Sequence, residues 1–482
     1  MPQTVITAYT LRALMTCPRR VWLDRNGEPD AAVEVAPDFS NRGLEHEKAI
    51  SAALFGPVQT VPAASWPEAA VATQDLMRRG VPGIRGAALE STITFSQTYT
   101  VRGRVDWLRR VWQPSRLGRW SYEPIEIKYR AQLQDEDKLQ LDLYIWLLQN
   151  IQDGQPSGWF WLGHDESGGP AHQIEHDYRQ ERLFAALEQA ADVLQAADAP
   201  PIFLASHCQI CRWRAACEQT ASASRDITLL PGLSRMTWEH LHREDIHTLD
   251  QILSLPPEAL KRFKGVGQTR AYEFHTFAQA AVHSRPVQRQ PLPEILRQPG
   301  IMFDLETRLD SGLPWCFGWQ VDGQPATAAI VDPYCEDGRL LLPDGAQVMV
   351  AADSDEGWRL LAETAQKHPG LLFHWGGFEM GVLRQTAPPD VVDALQGRLH
   401  DLNKTFKKTC VLPVRGTSIK KVAPYLGFRW PPGATALTAW ADYNAWLKDN
   451  DRDALARACA YNRADVEALT IIWRWLVDSS LP

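Results

Sequence analysis

In VRGRVDWLRRV, residues 101–111, Val101, Gly103, Val105 and Trp107 fall on one side of an extended chain and polar residues on the other. This is the period-two pattern of a half-buried strand. After a tryptophan-bearing turn, YEPIEIKYR repeats the alternation, with Ile125 and Ile127 facing one way and Glu126 and Lys128 the other. A helical period follows in QLDLYIW, where Gln140 and Tyr144 stand four apart on one face. From about 226 to 285 the pattern is helical throughout, interrupted by the glycine-bracketed FKGVGQTRA. VHSRPVQRQPLPEILRQPG is rich in Pro, Arg and Gln and reads as a linker. Beyond it, IMFDLETRLD opens as an apolar strand and GLLFHWGGFEMGVL reads as strand, glycine turn and helix. YNRADVEALTIIWRWL is a long amphipathic helix. The pattern predicts an α/β multidomain chain: 1–225 mixing helix and strand, a helical 226–285, a connector at 286–295 and a second α/β part at 296–482. No repeat of solenoid period and no low-complexity tract occurs.

Composition narrows the class. At 482 residues the chain is too long for one ordinary domain. Hydrophobic residues at 45% and charged residues at 22% match a soluble globular protein with real cores. No apolar run approaches the roughly 18 residues that span a bilayer. The opening MPQTVITAYTLRALMTCPRR has no basic start followed by a long apolar segment, so no signal peptide is expected. The expected location is therefore cytoplasmic, without a membrane, and cysteines there are ligands or core residues rather than disulfides. A net charge of −8 and a pI near 5.9 argue against a small basic module that coats nucleic acid by charge alone. They leave room for an enzyme with acidic metal sites among local basic patches. Most of the 19 tryptophans are expected in cores, some as stacking platforms for bases. No G-x4-GK[ST] phosphate loop is present, so no ATPase activity is expected.

Asp106, Glu126 and Lys128 could meet on one side of a sheet. Two carboxylates bind Mg²⁺ or Mn²⁺, which polarises a phosphate and lowers the pKa of a bound water. A lysine beside them orients that water or stabilises charge on the phosphoryl oxygens. Singly, each is ordinary: E-x-K on a solvated strand face, an aspartate as a turn former. Together, D…E-x-K resembles the PD-(D/E)XK nucleases, with their restriction-endonuclease-like fold. Upstream, RGLEHEKAI adds Gly43 and His46. The order G-x2-H, G-x2-D, E-x-K, Q-x3-Y resembles RecB-type nucleases. That resemblance implies that His46 helps Asp106 and Glu126 hold the metal, that Lys128 is catalytic, and that Gln140 and Tyr144 line the DNA path. Glu45 and Glu47 flank His46 and are alternatives in its role.

CQICRWRAAC places Cys208, Cys211 and Cys217 at C-x2-C-x5-C. Four soft ligands close a metal or iron–sulfur site, and three do not. RecB-type nucleases include an iron–sulfur branch with one cysteine upstream of the nuclease motifs and three after them, and Cys17 in LMTCPRRVWL stands in the upstream place. The resemblance implies a 4Fe-4S cluster on Cys17, Cys208, Cys211 and Cys217, with zinc as the alternative. Such a site staples the domain's two ends across a long loop. Cys316, Cys335, Cys410 and Cys459 read as core residues.

The middle part resembles a helix-hairpin-helix (HhH) segment. Gly265 and Gly267 bracket an apolar residue between two helices, and PGLS around Gly232 could be a degenerate first hairpin. Such a hairpin exposes backbone N–H groups to a phosphate, with Lys264, Gln268 and Arg270 placed to help. A helical spacer with a glycine cap is the plainer alternative.

In the last part, D-x-E puts Asp304 and Glu306 on one strand face, Glu379 starts a helix, and Tyr461 and Asp465 stand four apart. This layout resembles DEDD-type 3′–5′ exonucleases on an RNase H-like α/β fold. The resemblance implies that Asp304, Glu306, Glu379 and Asp465 hold two metals and that Tyr461 positions the attacking water. Most such enzymes carry aspartate where Glu379 stands, and Asp401 is an alternative ligand. Lys404, Lys407, Lys408, Lys420 and Lys421 would supply phosphate contacts. The whole chain resembles bacterial RecB-like nucleases of this three-part layout. It is expected to be a metal-dependent nuclease acting on DNA, single-stranded or at ends, in repair, recombination or defence, with RNA left open. The alternative is a nucleic-acid-binding scaffold that has lost its chemistry and recruits a helicase in trans.

Overall fold

The computed structural model describes residues 4–33, 59–62, 65–128, 132–163, 172–298, 300–334 and 338–478. Gly43, Glu45, His46, Glu47 and Cys335 lie outside the described residues. Two compact units divide the chain, Met1–Ala223 and Ser224–Pro482.

In the first unit, β1 (Val5–Thr7), β2 (Gln59–Thr60), β3 (Gly83–Thr94), β4 (Thr98–Val111), β5 (Ser121–Lys128), β6 (Gly158–Leu162) and β7 (His172–His176) share one sheet. Its order is β2-β3-β4-β5-β6-β7, with β1 on the free end of β4. β3, β4 and β5 run antiparallel, whereas β6 is parallel to β5 and so needs a crossover. The helix Asp135–Gln152 is that crossover. Its stretch LQLDLYIWLL is apolar nearly all round because it is buried nearly all round, packed on the sheet and on the helices Ala8–Thr16 and Gln180–Gln195. Asp142, fully buried in its middle, is satisfied by His176 Nε2 at 2.7 Å, Arg182 Nε at 2.9 Å and the Arg179 N–H at 3.2 Å. Val101, Gly103, Val105 and Trp107 are buried as their alternation predicts. On β5, however, Glu126 is as buried as Ile125, so no solvated face exists there.

In the second unit, β8 (Val287–Gln288) precedes the main strands: β9 (Gly300–Thr307), β10 (Pro314–Val321), β11 (Thr327–Val331), β12 (Arg339–Leu341), β13 (Gln347–Ala351), β14 (Leu371–His374) and β15 (Leu399–Asp401). Their order is β12-β13-β11-β10-β9-β14-β15. β9, β10 and β11 form an antiparallel meander, and β14 and β15 add in parallel on the other side. β9 reads as a continuous apolar run because both its faces are covered. Ile301, Phe303 and Leu305 pack with Trp358 of the helix Ser354–Lys367, while Met302 packs with Val466 and Leu469 of the helix Arg452–Asp478. By alternation, Asp304 and Glu306 share the face of that last helix.

The helices Arg235–Arg243, Leu249–Ser254, Pro257–Leu260 and Gln268–Val282 belong to this same unit. The segment expected as a linker is not a free connector. β8 pairs antiparallel with β16 (Cys410–Val411), Leu296 is fully buried, and its carbonyl accepts from Trp473 Nε1 at 2.9 Å. Among the described residues no helix is long and apolar enough to cross a membrane.

Candidate active sites

In the first unit the β4–β5 register pairs Trp107 with Ile125, which brings Asp106 beside Glu126. Asp106 Oδ2 accepts the Ile127 N–H at 2.9 Å, and Lys128 Nζ donates to Glu126 Oε1 at 2.7 Å. The structure thus brings Asp106, Glu126 and Lys128 together. Gln140 Nε2 donates to Glu126 Oε1 at 2.8 Å and to the Tyr144 hydroxyl at 2.7 Å. That hydroxyl in turn donates to the Arg104 carbonyl at 2.8 Å. Tyr144 is only 1% exposed, so it does not line an open path. It is the buried end of a relay that holds Glu126. A Cβ at Gly103 would stand 2.6 Å from the Tyr144 ring, so G-x2-D and Q-x3-Y form one packing unit.

Asp137 was not foreseen. It is fully buried on the turn before Gln140, accepts the Gln134 N–H at 2.9 Å and places Oδ1 3.5 Å from Lys128 Nζ. The signal was its three-residue spacing from Gln140, masked because an acid in a helix's first turn is ordinary. Burial alone would push the Lys128 ammonium down, but Glu126, Asp137 and Asp106 outweigh it and hold the group above its ordinary value. The carboxylates around Lys128 thus favour its charged form.

The same unit gathers the four cysteines. Cys17 sits between the helices Ala8–Thr16 and Pro18–Asn26, Cys208 lies within the 3₁₀ turn Ser206–Ile210 that Cys211 caps, and Cys217 lies on the helix Arg214–Ala223. All four are free thiols lining one cavity of about 310 Å³. Burial pushes Cys17 and Cys217 up, with Arg19 acting against it at Cys217.

In the second unit Asp304 and Glu306 on β9 meet Asp465 of the helix Arg452–Asp478, each offering an oxygen within 4.8 Å of the others. Burial first, then Asp465, Glu306 and Glu379, push Asp304 well above the usual carboxylate range. Glu306 is pushed up to about 8 by burial and Asp465. Like charges held this close and this dry are the preparation of a cation site.

Glu379 is brought beside this group but not into it: its Oε2 lies 3.3 Å from His374 Nδ1, both side chains being buried. Asp401 is not a fourth carboxylate in the group either. Its Oδ1 accepts the Lys404 N–H at 2.9 Å, capping the helix Leu402–Thr409, and the Gly376 N–H at 3.1 Å. Lys420, expected on a phosphate, instead bonds Asp465 Oδ1, which also accepts Trp430 Nε1 at 2.6 Å. Its ammonium lies over the Trp430 ring at 4.1 Å and the Tyr461 ring at 4.3 Å. Lys421 is exposed on the same helix, Ile419–Tyr425. Tyr461 is pushed far up by burial and Asp465, so its phenol stays protonated and can donate.

Asn462 was also not foreseen. Fully buried, it donates Nδ2 to Asp304 Oδ2 at 2.9 Å, and a Cβ at Gly318 would stand 1.9 Å from its Oδ1.

Each glycine hairpin has a positive-φ glycine two residues before a helix N-cap. Gly265 has φ +86° and Gly267 caps the helix Gln268–Val282, while Gly232 has φ +64° and Ser234 caps the helix Arg235–Arg243. They pack on each other: Thr237 Oγ1 donates to the Lys264 carbonyl at 3.0 Å and Arg270 Nη1 to the Pro231 carbonyl at 3.1 Å. Arg270 therefore joins the hairpins, where a phosphate contact was expected.

Residues 25–218 match the family model of the PD-(D/E)XK nuclease superfamily, and residues 301–477 that of the RNase H superfamily. No curated protein matches the chain. Among solved structures, one described as "Crystal structure of SSO0001" is similar over 45% of this chain and 88% of its own, at 16% identity and a TM-score of 0.25. The chain carries a PD-(D/E)XK nuclease-superfamily domain followed by an RNase H-superfamily domain.

Proposed function

We propose that the chain is a metal-dependent nuclease with two hydrolytic centres, acting on DNA that has single-stranded regions or free ends. The observation that carries this reading is the convergence of Asp304, Glu306 and Asp465 within 4.8 Å, with Glu306 and Asp465 buried and Asp304 half-buried. Such a donor set fits Mg²⁺ or Mn²⁺, which when bound polarises the scissile phosphate and acidifies a water. Around it, Asn462 orients Asp304, Trp430 and Lys420 orient Asp465, and the Tyr461 phenol, held protonated beside Asp465, is the donor proposed for an attacking water. In the first unit Asp106 and Glu126 are the carboxylates, Lys128 the cation, and Gln140, Tyr144 and Asp137 hold them in place. His46 remains a proposed ligand from the motif order alone.

A 4Fe-4S cluster on Cys17, Cys208, Cys211 and Cys217 is part of this reading, with zinc as the alternative; what supports a metal or cluster there is that all four thiols line one cavity. The paired glycine hairpins are proposed as an HhH module gripping the backbone through exposed N–H groups at Gly265 and Gly267. The protein's place is in cytoplasmic repair, recombination or defence, with strand opening supplied by a helicase in trans.

A second reading draws on two contacts: Lys420 on Asp465, and Glu379 on His374. Both favour an RNase H-like unit kept as a binding platform. Labelled single-stranded DNA and RNA with Mn²⁺ or Mg²⁺ separate the readings. Lys128→Ala and Asp304→Ala should each remove a distinct cleavage activity. A wild-type chain that binds both polymers and cuts neither gives the scaffold; loss with Lys128→Ala alone gives one active centre and one platform.

A further inference from the structure

The second unit also holds a cavity of about 270 Å³ away from its carboxylates. Its floor is apolar, built on the buried Phe277, Phe406 and Leu412. Its rim carries Arg270, Arg289 and Lys407 against the single carboxylate Glu273. Arg270 is committed to the Pro231 carbonyl and lies 3.6 Å from Glu273, so that pair belongs to the hairpins. Arg289 and Lys407 form the exposed cationic edge. The Arg289 N–H donates to the Thr409 carbonyl at 2.7 Å and its Nη1 to the Lys407 carbonyl at 3.1 Å, which anchors the two side by side.

Gly232 of the first hairpin lines the cavity, and so do Gly416 and Thr417. The Thr417 carbonyl accepts Trp375 Nε1 at 3.0 Å, and Thr417 stands just before the helix whose Lys420 bonds Asp465. The cavity is therefore lined both by a hairpin and by the segment that leads into the Lys420 helix. A cationic edge over an apolar floor is the chemistry of a single nucleic-acid strand: phosphates on the cations, a base on the floor. A base inside a duplex is stacked and paired, and reaches a pocket of this size only when unstacked.

We infer that this cavity is a nucleotide subsite for single-stranded nucleic acid, in which Arg289 and Lys407 hold phosphates while the floor of Phe277, Phe406 and Leu412 takes one base. The inference rests on reading this unit as acting on nucleic acid. It makes an unpaired strand the substrate class.

The test is binding, in an Asp304→Asn background that need not cut. Fluorescein-labelled oligothymidylate is titrated by anisotropy over a range of salt against Arg289→Gln/Lys407→Gln and, as a charge control, against Lys448→Gln, an exposed lysine on the helix Ala436–Asp449 that does not line the cavity. The double variant should bind at least about tenfold more weakly, and its log K against log salt slope should shrink by about 1.4, two contacts at roughly 0.7 each for a single strand. An abasic strand should bind the unsubstituted chain more weakly at nearly the same slope. An unchanged slope, an equal loss with Lys448→Gln, an equal loss on blunt duplex, or equal affinity for the abasic strand overturns the subsite. The same titration with oligouridylate decides whether DNA or RNA is preferred. If wild type cleaves nothing, the hydrolytic reading falls while this binding measurement still stands or fails on its own.

Discussion

Asn462 shows how much of the acidic site depends on residues that carry no charge. Its amide donates to Asp304, and only a glycine at 318 leaves room for it. Gly318→Ala should push Asn462 aside and weaken Mn²⁺ binding by about 10- to 100-fold, the usual cost of losing a partner behind a ligand. Titration calorimetry reads this directly, and an unchanged affinity would remove Asn462 from the site. Glu306 gives a pH signature. Its ordinary value is 4.5 and in the folded chain it is pushed up to about 8, so the folded state holds that proton more tightly than the unfolded one. Between those values the metal-free protein should lose stability as pH rises. Thermal unfolding of the metal-free chain between about pH 5 and pH 8.5 should show that slope, and Glu306→Gln should lessen it, leaving the part that the raised Asp304 carries. Neither residue's behaviour was legible beforehand. D-x-E named the carboxylates, but their burial and the asparagine behind them depend on the helix Arg452–Asp478 lying across β9.

Among the elements, the helix Asp135–Gln152 is the clearest case of pattern meeting packing. Its period placed Gln140 and Tyr144 on one face, which the structure keeps. Its all-round burial, however, makes Tyr144 a buried anchor for Glu126. Tyr144→Phe keeps the ring against Gly103 but strands Gln140 and leaves the Arg104 carbonyl without that donor. It should cost about 1–3 kcal/mol, read by urea denaturation. It should also slow the Lys128-dependent cleavage by lowering kcat more than it raises KM, since Tyr144 is too buried to touch substrate. Asp137 in the same helix went unread because spacing alone cannot tell a capping acid from one aimed at a lysine. The stretch 286–295 was misread for a related reason. Its Pro-rich composition suits a linker, yet the two-residue strand Val287–Gln288 within it and the buried Leu296 just after it suffice to tie it down.

At the scale of the whole molecule, two compact units each carry one proposed centre, so damage to one should spare the other. Cys17→Ser and Cys211→Ser should each remove the visible absorbance expected of the proposed cluster and lower the first unit's unfolding transition by similar amounts. Differential scanning calorimetry of the full chain should leave the transition of Ser224–Pro482, and the Asp304-dependent cleavage, in place. A loss confined to Cys211→Ser would mean that Cys17 is no part of the site. The sequence by itself determined the α/β class and the carboxylates and thiols themselves. Those follow from local period and from residue types at short spacing, which survive in a one-dimensional string. Only the tertiary structure decided that Lys420 pairs with Asp465, that Glu379 turns to His374, that Asp401 is a cap and that Tyr144 is buried. Each of those is a competition among several polar partners brought together from distant parts of the chain. Burial makes that competition costly by penalising whichever group is left unpaired, and Glu379 Oε2 and His374 Nδ1, 3.3 Å apart, are buried without a hydrogen-bond partner among the described residues.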